Sequence, residues 1–157
     1  MASSLRVTVN GSRHDVEVNP ETPLLFVLRN ELGLIAAKYG CGFARCGACA
    51  VHIDGELALS CVVPVGEVGD REVVTLEGLS EEGTLHPLQQ AVLDEQAAQC
   101  GYCTPGIIMT AAALLRRNKQ QSDDEIRQAL DGTLCRCGSH PRVLRAIRRV
   151  VEAGEAG

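Results

Sequence analysis

The sequence predicts an α+β fold with two parts, a β-rich first half and a second half of four short helices. Apolar residues alternate with polar ones up to about residue 76, whereas from residue 85 they recur every three or four positions. Eight cysteines fall into two groups, one in each half. A chain of 157 residues can hold two small domains, which we expect at residues 1–78 and 83–157. The polar, glycine-containing stretch LEGLSEEG marks the boundary between them.

Two β-hairpins are indicated in the first half by alternating residues around tight-turn dipeptides. Residues 5–18 alternate around an NG dipeptide and residues 51–59 around a DG dipeptide, and both dipeptides are preferred in two-residue hairpin turns. Residues 73–76 predict a last strand.

One helix is expected to cross this sheet. Thr22 is a suitable N-cap and Pro23 a suitable first helical residue. Apolar side chains at positions 24, 25, 28 and 32 would place one face of the helix on the sheet. A mixed sheet crossed by a single helix is typical of the β-grasp, ferredoxin-like fold.

Four segments of the second half have the period of an amphipathic helix. They are residues 85–93, 107–115, 126–134 and 143–151. Thr104 is expected to cap the second helix, and Ser122 with Glu125 forms a capping-box pattern at the start of the third. We therefore expect a four-helix bundle after the β-grasp domain.

The charge and hydropathy of the chain exclude several classes of partner. The net charge of −5 argues against a nucleic-acid partner. Residues 1–98 hold 6 Lys/Arg and 14 Asp/Glu, whereas residues 99–157 hold 9 and 6, which suggests different neighbours for the two halves. There is no signal-peptide pattern and no apolar run of about 18 residues. We expect a cytoplasmic protein without a membrane span, and export together with a signal-bearing partner stays open.

The first group of cysteines has the spacing C-x4-C-x2-C-x11-C, which is the plant-type [2Fe–2S] pattern. Its members are Cys41, Cys46, Cys49 and Cys61. The loop GCGFARCGACA is rich in Gly and Ala, which lets backbone N–H groups approach the sulfurs. Zinc sites more often use two C-x2-C pairs, and a disulfide would not need so many small residues around it. This spacing therefore predicts a [2Fe–2S] cluster.

The second group consists of a CGYC stretch and a CRC stretch. Its members are Cys100, Cys103, Cys135 and Cys137. Both stretches precede predicted helices, and helix N-termini favour anionic groups. From these residues alone zinc and a second cluster both remain open, and a redox dithiol is the weakest interpretation because of the companion CRC pair.

Both groups resemble those of one protein family. QCGYCTPG together with LCRCG closely resembles the small iron–sulfur subunit of the xanthine dehydrogenase/aldehyde oxidoreductase family of molybdenum hydroxylases. GCGFARCGACAVHIDG resembles the N-terminal domain of the same subunit, and the likeness covers about residues 5–151 with all eight cysteines in matching order and spacing. Within the family the chain looks most like the separate small subunits of nicotinate dehydrogenase and isoquinoline 1-oxidoreductase.

The resemblance implies two [2Fe–2S] clusters and a large partner subunit that holds the substrate and molybdopterin, in its cytosine dinucleotide form. In this family molybdenum hydroxylates an N-heterocycle or an aldehyde with oxygen from water, and the two electrons leave one at a time. The second cysteine group would lie beside the pterin and the first near the acceptor, which is FAD on a third subunit or a cytochrome. Since the chain has no flavin or dinucleotide fingerprint, we expect it to hold neither and to perform no substrate chemistry itself.

Two residues match family positions that contact the pterin. Gln99 matches a glutamine that hydrogen-bonds the cofactor, and a side-chain amide can both donate and accept. Cys137 matches the cysteine in contact with the pterin.

Two other functions are compatible with parts of the sequence. The chain could be a zinc-stabilised interaction module, or it could be a stand-alone ferredoxin. A shuttling ferredoxin needs only the first cluster, so the helical half argues against it. His140, three residues after Cys137, is the histidine to test as an alternative cluster ligand.

Overall fold

The computed structural model describes residues 1–80 and 83–154 and contains a five-stranded mixed sheet in the order β2-β1-β5-β3-β4. The strands are β1 (Ser3–Val9), β2 (Ser12–Val18), β3 (Ala50–Ile53), β4 (Glu56–Leu59) and β5 (Glu72–Val74). Strand β1 is antiparallel to β2 and parallel to β5, and β3 is antiparallel to both β4 and β5. The mixed sheet expected from the alternating pattern is confirmed.

Both predicted hairpin turns form in the left-handed region of backbone conformation. Asn10 and Gly11 have φ values of 51° and 75°, and Asp54 and Gly55 have values of 50° and 79°. Positive φ at both central residues is the property for which NG and DG dipeptides are preferred.

The last strand is shorter than predicted, because the chain turns into a 3-10 helix at Leu76–Leu79. The side chain of Asn10 accepts a hydrogen bond from Thr75 N at 2.9 Å and donates one to Thr75 Oγ1 at 3.0 Å. These contacts bind the backbone of Thr75 to the first hairpin and end the strand before Leu76.

The helix on the sheet lies where it was expected, but its start differs from the prediction. Helix α1 (Leu24–Phe26) continues into a π-helical turn at Val27–Glu31, and its N-cap is Pro23 rather than Thr22. The carbonyl of Thr22 instead accepts from Val65 N at 2.9 Å. Leu24 N donates to a carbonyl on the segment that contains Val65. Contacts with this distant segment therefore replace the side-chain cap of α1. That segment leads into the short helix α2 (Val65–Val68), which the sequence reasoning missed.

Four helices pack together in the second half, as predicted. They are α3 (Pro87–Asp94), α4 (Thr104–Arg117), α5 (Asp123–Leu130) and α6 (His140–Ala153). The capping box of α5 forms, because Ser122 N donates to Glu125 Oε2 at 2.7 Å and Ser122 Oγ accepts from Glu125 N at 3.3 Å.

Two predictions about these helices are wrong. The N-cap of α4 is Cys103, not Thr104, and Cys103 makes no side-chain cap. Helix α5 ends at Leu130, although its apolar pattern continues to Leu134. The helix does not continue to Leu134 because Leu134 N donates to Cys46 O in the first half, at 3.0 Å, instead of to a carbonyl of the helix.

Each half has its own apolar core, and the two halves are in contact. Leu24, Leu28 and Val51 are fully buried between α1 and the sheet, and a separate cluster lies among α3 to α6. His52 of β3 is buried, and its Nε2 lies 2.7 Å from Met109 O of α4. The domain limits at residues 78 and 83 stay a prediction, and residues 81 and 82 of the proposed boundary lie outside the described residues. In the described ranges no helix has the length and apolar character needed to cross a bilayer.

A close backbone contact between the halves joins Gly106 of α4 to Gly47. A Cβ at Gly106 would lie 2.9 Å from Gly47 C and 3.1 Å from Ala48 Cα. Because both neighbours are backbone atoms, a side chain at this position can be accommodated only if the halves separate.

We predict that Gly106→Ala destabilises the protein. Alanine gains about 1 kcal/mol of helix propensity over glycine, whereas overpacking against backbone costs about 3 kcal/mol. The net loss of about 2 kcal/mol should lower the melting temperature by roughly 4–8 °C in circular-dichroism unfolding. Gly132→Ala is the control, because a Cβ there meets nothing within 4 Å. Equal melting temperatures for the two variants would contradict the role given to Gly106.

Candidate metal centres

Three of the four cysteines in the first group, Cys41, Cys46 and Cys49, lie on a loop that turns back on itself between α1 and β3. Gly42, Ala44 and Gly47 have φ values of 76°, 58° and 72°, and these left-handed residues curl the chain around the sulfurs. Arg45 N donates to Cys41 Sγ at 3.2 Å. The small residues predicted to wrap a cluster therefore form a tight loop with N–H groups directed at sulfur.

The four sulfurs of this group form two close pairs with different surroundings. Cys41 and Cys46 are half-buried with their thiols in contact, and Cys49 and Cys61 are buried with theirs in contact. The backbone N–H groups of Phe43 and then Arg45 lower the pKa of Cys41 to about 7. Burial raises the pKa of Cys49 to about 12.

Cys61 is brought to the loop by the β3–β4 hairpin. Ser60 N donates to Cys49 O at 3.2 Å, and Ser60 Oγ donates to the same carbonyl at 2.7 Å. The buried Ser60 thus holds the end of β4 against the loop and places Cys61 close to Cys49.

The second group also forms two close pairs, each with one cysteine from CGYC and one from CRC. Cys100 is in contact with Cys137, and Cys103 with Cys135. Cys103 is the N-cap residue of α4, and the CRC pair directly precedes α6. Both pairs therefore lie at helix starts, as the sequence indicated.

The thiols of Cys103 and Cys135 have different pKa values. Burial raises the pKa of Cys103 to about 12. Burial also acts to raise the pKa of Cys135, but hydrogen bonds from the side chain and backbone of Ser139 outweigh it and lower that pKa to about 6. The Ser139 Oγ atom lies 3.2 Å from Cys135 Sγ.

This pairing of sulfurs suits a two-iron cluster in each group. Each iron of a [2Fe–2S] cluster needs two protein thiolates. The donor set and its arrangement in pairs therefore fit two irons better than one zinc.

The two groups are joined by backbone contacts that the sequence did not reveal. Leu134, which donates to Cys46 O at 3.0 Å, directly precedes Cys135. A Cβ at Gly47 would lie 2.9 Å from Gly132 O and 2.9 Å from Thr133 Oγ1. The hydrogen bond from Leu134 N thus connects Cys46 of the first group to the residue that precedes Cys135 of the second group.

Gln99 and Cys137 line one surface cleft of about 470 Å³ beside the second group. Both side chains are exposed, and Arg142 and Arg145 form part of the same wall. His140 points its Nε2 at Thr133 O at 3.2 Å and belongs to neither pair of sulfurs. The structure therefore brings the two predicted pterin-contacting residues together and gives His140 a backbone partner.

Comparisons with known proteins match both halves of the chain. Residues 7–71 match the family described as "2Fe-2S iron-sulfur cluster binding domain", and residues 75–148 match "[2Fe-2S] binding domain". One subunit of nicotinate dehydrogenase from Pseudomonas putida is 53% identical over 152 residues, which are 97% of each chain. A probable xanthine dehydrogenase subunit of Bacillus subtilis is 42% identical and matches over 95% of this chain and 87% of that one. The chain belongs to the [2Fe–2S] subunits of the xanthine dehydrogenase family.

A solved structure and a further relative by sequence agree with this assignment of the iron–sulfur subunit. Quinoline 2-oxidoreductase from Pseudomonas putida 86 contains a chain that superposes with a TM-score of 0.92 at 35% identity, covering 99% of this chain and 98% of that one. The alpha subunit of isoquinoline 1-oxidoreductase from Brevundimonas diminuta is 49% identical over 87% of this chain and 89% of that one. The expected family and fold class are confirmed, and the chain is an iron–sulfur subunit of an oxidoreductase.

We predict that Ser139→Ala lowers the reduction potential of the cluster expected on the second group. An iron-bound thiolate carries no proton, so Ser139 Oγ donates to Cys135 Sγ, and this bond strengthens when the cluster gains an electron. Loss of about 1 kcal/mol in the reduced state corresponds to a fall of about 40 mV for a one-electron couple. An EPR-monitored redox titration measures it, with the signal of the first group as internal control. An unchanged potential, or equal shifts in both signals, would contradict the assignment.

Proposed function

We propose that this subunit passes electrons one at a time from a molybdopterin site on a large partner subunit, through two [2Fe–2S] clusters, to FAD or a cytochrome. Cys100, Cys103, Cys135 and Cys137 would hold the cluster nearer the pterin. Cys41, Cys46, Cys49 and Cys61 would hold the cluster nearer the acceptor. A [2Fe–2S] cluster accepts and releases a single electron, which is the chemistry such a relay requires.

The observation that carries this proposal is the joining of two paired thiol sites by one hydrogen bond. Each site offers two sulfurs to each of two irons, and the Leu134 N to Cys46 O bond links their backbones directly. A protein that used its cysteines only for structural zinc would not need such a connection between the sites.

The substrate class is proposed from the relatives. Those relatives are named for nicotinate, isoquinoline and quinoline, which are N-heterocycles, and another is the aldehyde oxidoreductase iron-sulfur-binding subunit of Escherichia coli. We propose that the assembled enzyme oxidises an N-heterocycle or an aldehyde with oxygen from water. The large subunit would perform this chemistry and select the substrate.

The cleft that Gln99 and Cys137 share is proposed as the contact with the pterin. Both residues are exposed on the isolated subunit, so they are accessible to a cofactor held by a partner. The amide of Gln99 can donate and accept at a pterin edge. The positive charge of Arg142 on the same wall suits the phosphates of the cytosine dinucleotide form, whereas Arg145 is paired with Glu95 at 3.2 Å.

We predict about four irons per chain and two distinct EPR signals after dithionite reduction of the anaerobically purified protein. Cys61→Ser should remove only the signal of the first group, and Cys135→Ser only that of the second. His140→Ala is the control and should keep both signals, because its ring is held by Thr133 O.

Metal counting on the same samples distinguishes the alternatives. About two irons with one signal and about one zinc would make the second group a structural zinc site and would reject the relay. Loss of a signal in the His140→Ala variant would show that the histidine, rather than four cysteines, completes that cluster.

A further inference from the structure

All four aromatic residues of the chain lie on its surface around the cysteine loops. The sequence contains two Phe, two Tyr and no Trp. Phe26, Tyr39, Phe43 and Tyr102 are 37%, 50%, 65% and 49% exposed, and we call these four residues the aromatic patch. A chain with so few aromatic side chains would gain most stability by burying them, so their exposure indicates a role in binding.

Direct contacts connect three members of the patch, Phe26, Tyr39 and Tyr102. The rings of Phe26 and Tyr39 are stacked with centroids 5.7 Å apart, and Tyr102 Oη donates to Tyr39 O. The hydroxyl of Tyr39 lies over Gly42, the residue before Phe43, since a Cβ at Gly42 would be 3.0 Å from Tyr39 Cζ. Phe26, Tyr39 and Tyr102 are thus joined by direct contacts, and Phe43 follows Gly42 on the loop of the first cysteine group.

The patch adjoins the more exposed pair of the first group. Cys41 and Cys46 are half-buried, whereas Cys49 and Cys61 are buried. The backbone N–H of Phe43 hydrogen-bonds the thiol of Cys41. An electron leaving through the patch would therefore cross the least protein.

Three basic residues, which we call the basic rim, lie in the same stretch of chain as Phe26, Tyr39 and Phe43, within an otherwise acidic half of the molecule. Arg29, Lys38 and Arg45 fall within residues 26–46, which contain only one acidic residue, Glu31. Arg29 and Lys38 donate to the carbonyl of Ile35 rather than to carboxylates. In the part of the chain that the structure describes, none of these three cations forms an ion pair. Arg45 is exposed, so its positive charge is accessible to a partner, whereas Arg29 and Lys38 are half-buried.

One further carboxylate, that of Glu77, reaches the edge of this region. It accepts hydrogen bonds from Ala36 N at 2.8 Å and from Thr75 Oγ1 at 2.7 Å. Even with Glu31 and Glu77 included, the region carries three positive and two negative charges, whereas residues 1–98 as a whole carry 6 and 14.

We propose that the aromatic patch and its basic rim dock the electron acceptor, and that the acceptor is a protein with an apolar contact surface rimmed by acidic side chains. Aromatic residues concentrate at the centres of protein interfaces, and complementary rim charges accelerate encounter. In the transfer one electron leaves the reduced cluster on the first group and reduces one acceptor centre, with no proton or bond exchanged. The inference rests on the proposed function, because it assumes that a cluster occupies this group.

The charge requirement can be tested with two forms of one probe. Native cytochrome c is basic, whereas succinylation of its lysines makes the same haem protein acidic. The full chain with both clusters reduced is mixed with each form in a stopped-flow instrument, and reduction of ferric to ferrous haem is followed by absorbance. We expect the succinylated form to be reduced about tenfold faster at low salt and the difference to shrink at high salt.

Variants then locate the docking surface. Arg45→Glu and Phe43→Ser should each slow reduction of the succinylated probe about tenfold. Arg13→Glu and Leu93→Ser are matched controls, because one changes an exposed arginine and the other an exposed large apolar residue outside the patch. The controls should leave the rate unchanged. Hydrogen exchange should show the probe protecting residues 38–46 in the unaltered chain and not in the two patch variants.

The outcomes separate this inference from the proposed function. EPR signals of both clusters must persist in every variant, and their absence from the unaltered chain would reject the relay itself. With both signals present, equal rates for the patch and control variants, or preference for native cytochrome c, would reject the docking site. If the patch variants instead lose only the large subunit during co-purification and keep their rates, the patch is the interface with that subunit and the proposal is wrong.

Discussion

The backbone contact between the first cysteine loop and the segment before the CRC pair is the constraint on which both candidate centres depend. Gly106 brings the first turn of α4 against Gly47, and Leu134 N donates to Cys46 O at 3.0 Å. Because these are backbone atoms in close approach, neither loop can shift without moving the other. The two sites are thus parts of one rigid arrangement, and this is the property that an electron relay needs.

Much of the fold could be predicted from local patterns. The NG and DG turns, the positions of the hairpin strands and the Ser122 capping box each depend on residues close together in sequence, and all three were correct. Strict alternation of burial holds in the first hairpin but not in β3, where every residue including His52 is buried. The errors occurred where a distant partner replaced a local one. Thr22 gives its carbonyl to Val65 N instead of capping α1, and Leu134 leaves the helical pattern to bond Cys46 O. Residue spacing contains no information on such partners.

In the candidate metal centres, too, the sequence predicted local features but not contacts with distant partners. Spacing identified all eight cysteines as two groups, and the structure brings the members of each group together. Spacing could not show that the sulfurs form pairs, such as Cys103 with Cys135, or that Ser139 Oγ lies 3.2 Å from one of them. Nor could it show the surface that the aromatic residues form. Their scarcity was evident in the sequence, but only the fold reveals that none of them is in the core.

Low-temperature EPR of the fully reduced protein tests most directly whether the two centres form one unit. The spectrum should be compared with the sum of the spectra of Cys61→Ser and Cys135→Ser, each of which would retain one cluster. Two adjacent paramagnetic clusters interact magnetically, so we predict that the fully reduced protein shows splitting or broadening absent from that sum. A spectrum that equals the sum would mean that the clusters are magnetically isolated, and would contradict the joined arrangement proposed for this subunit.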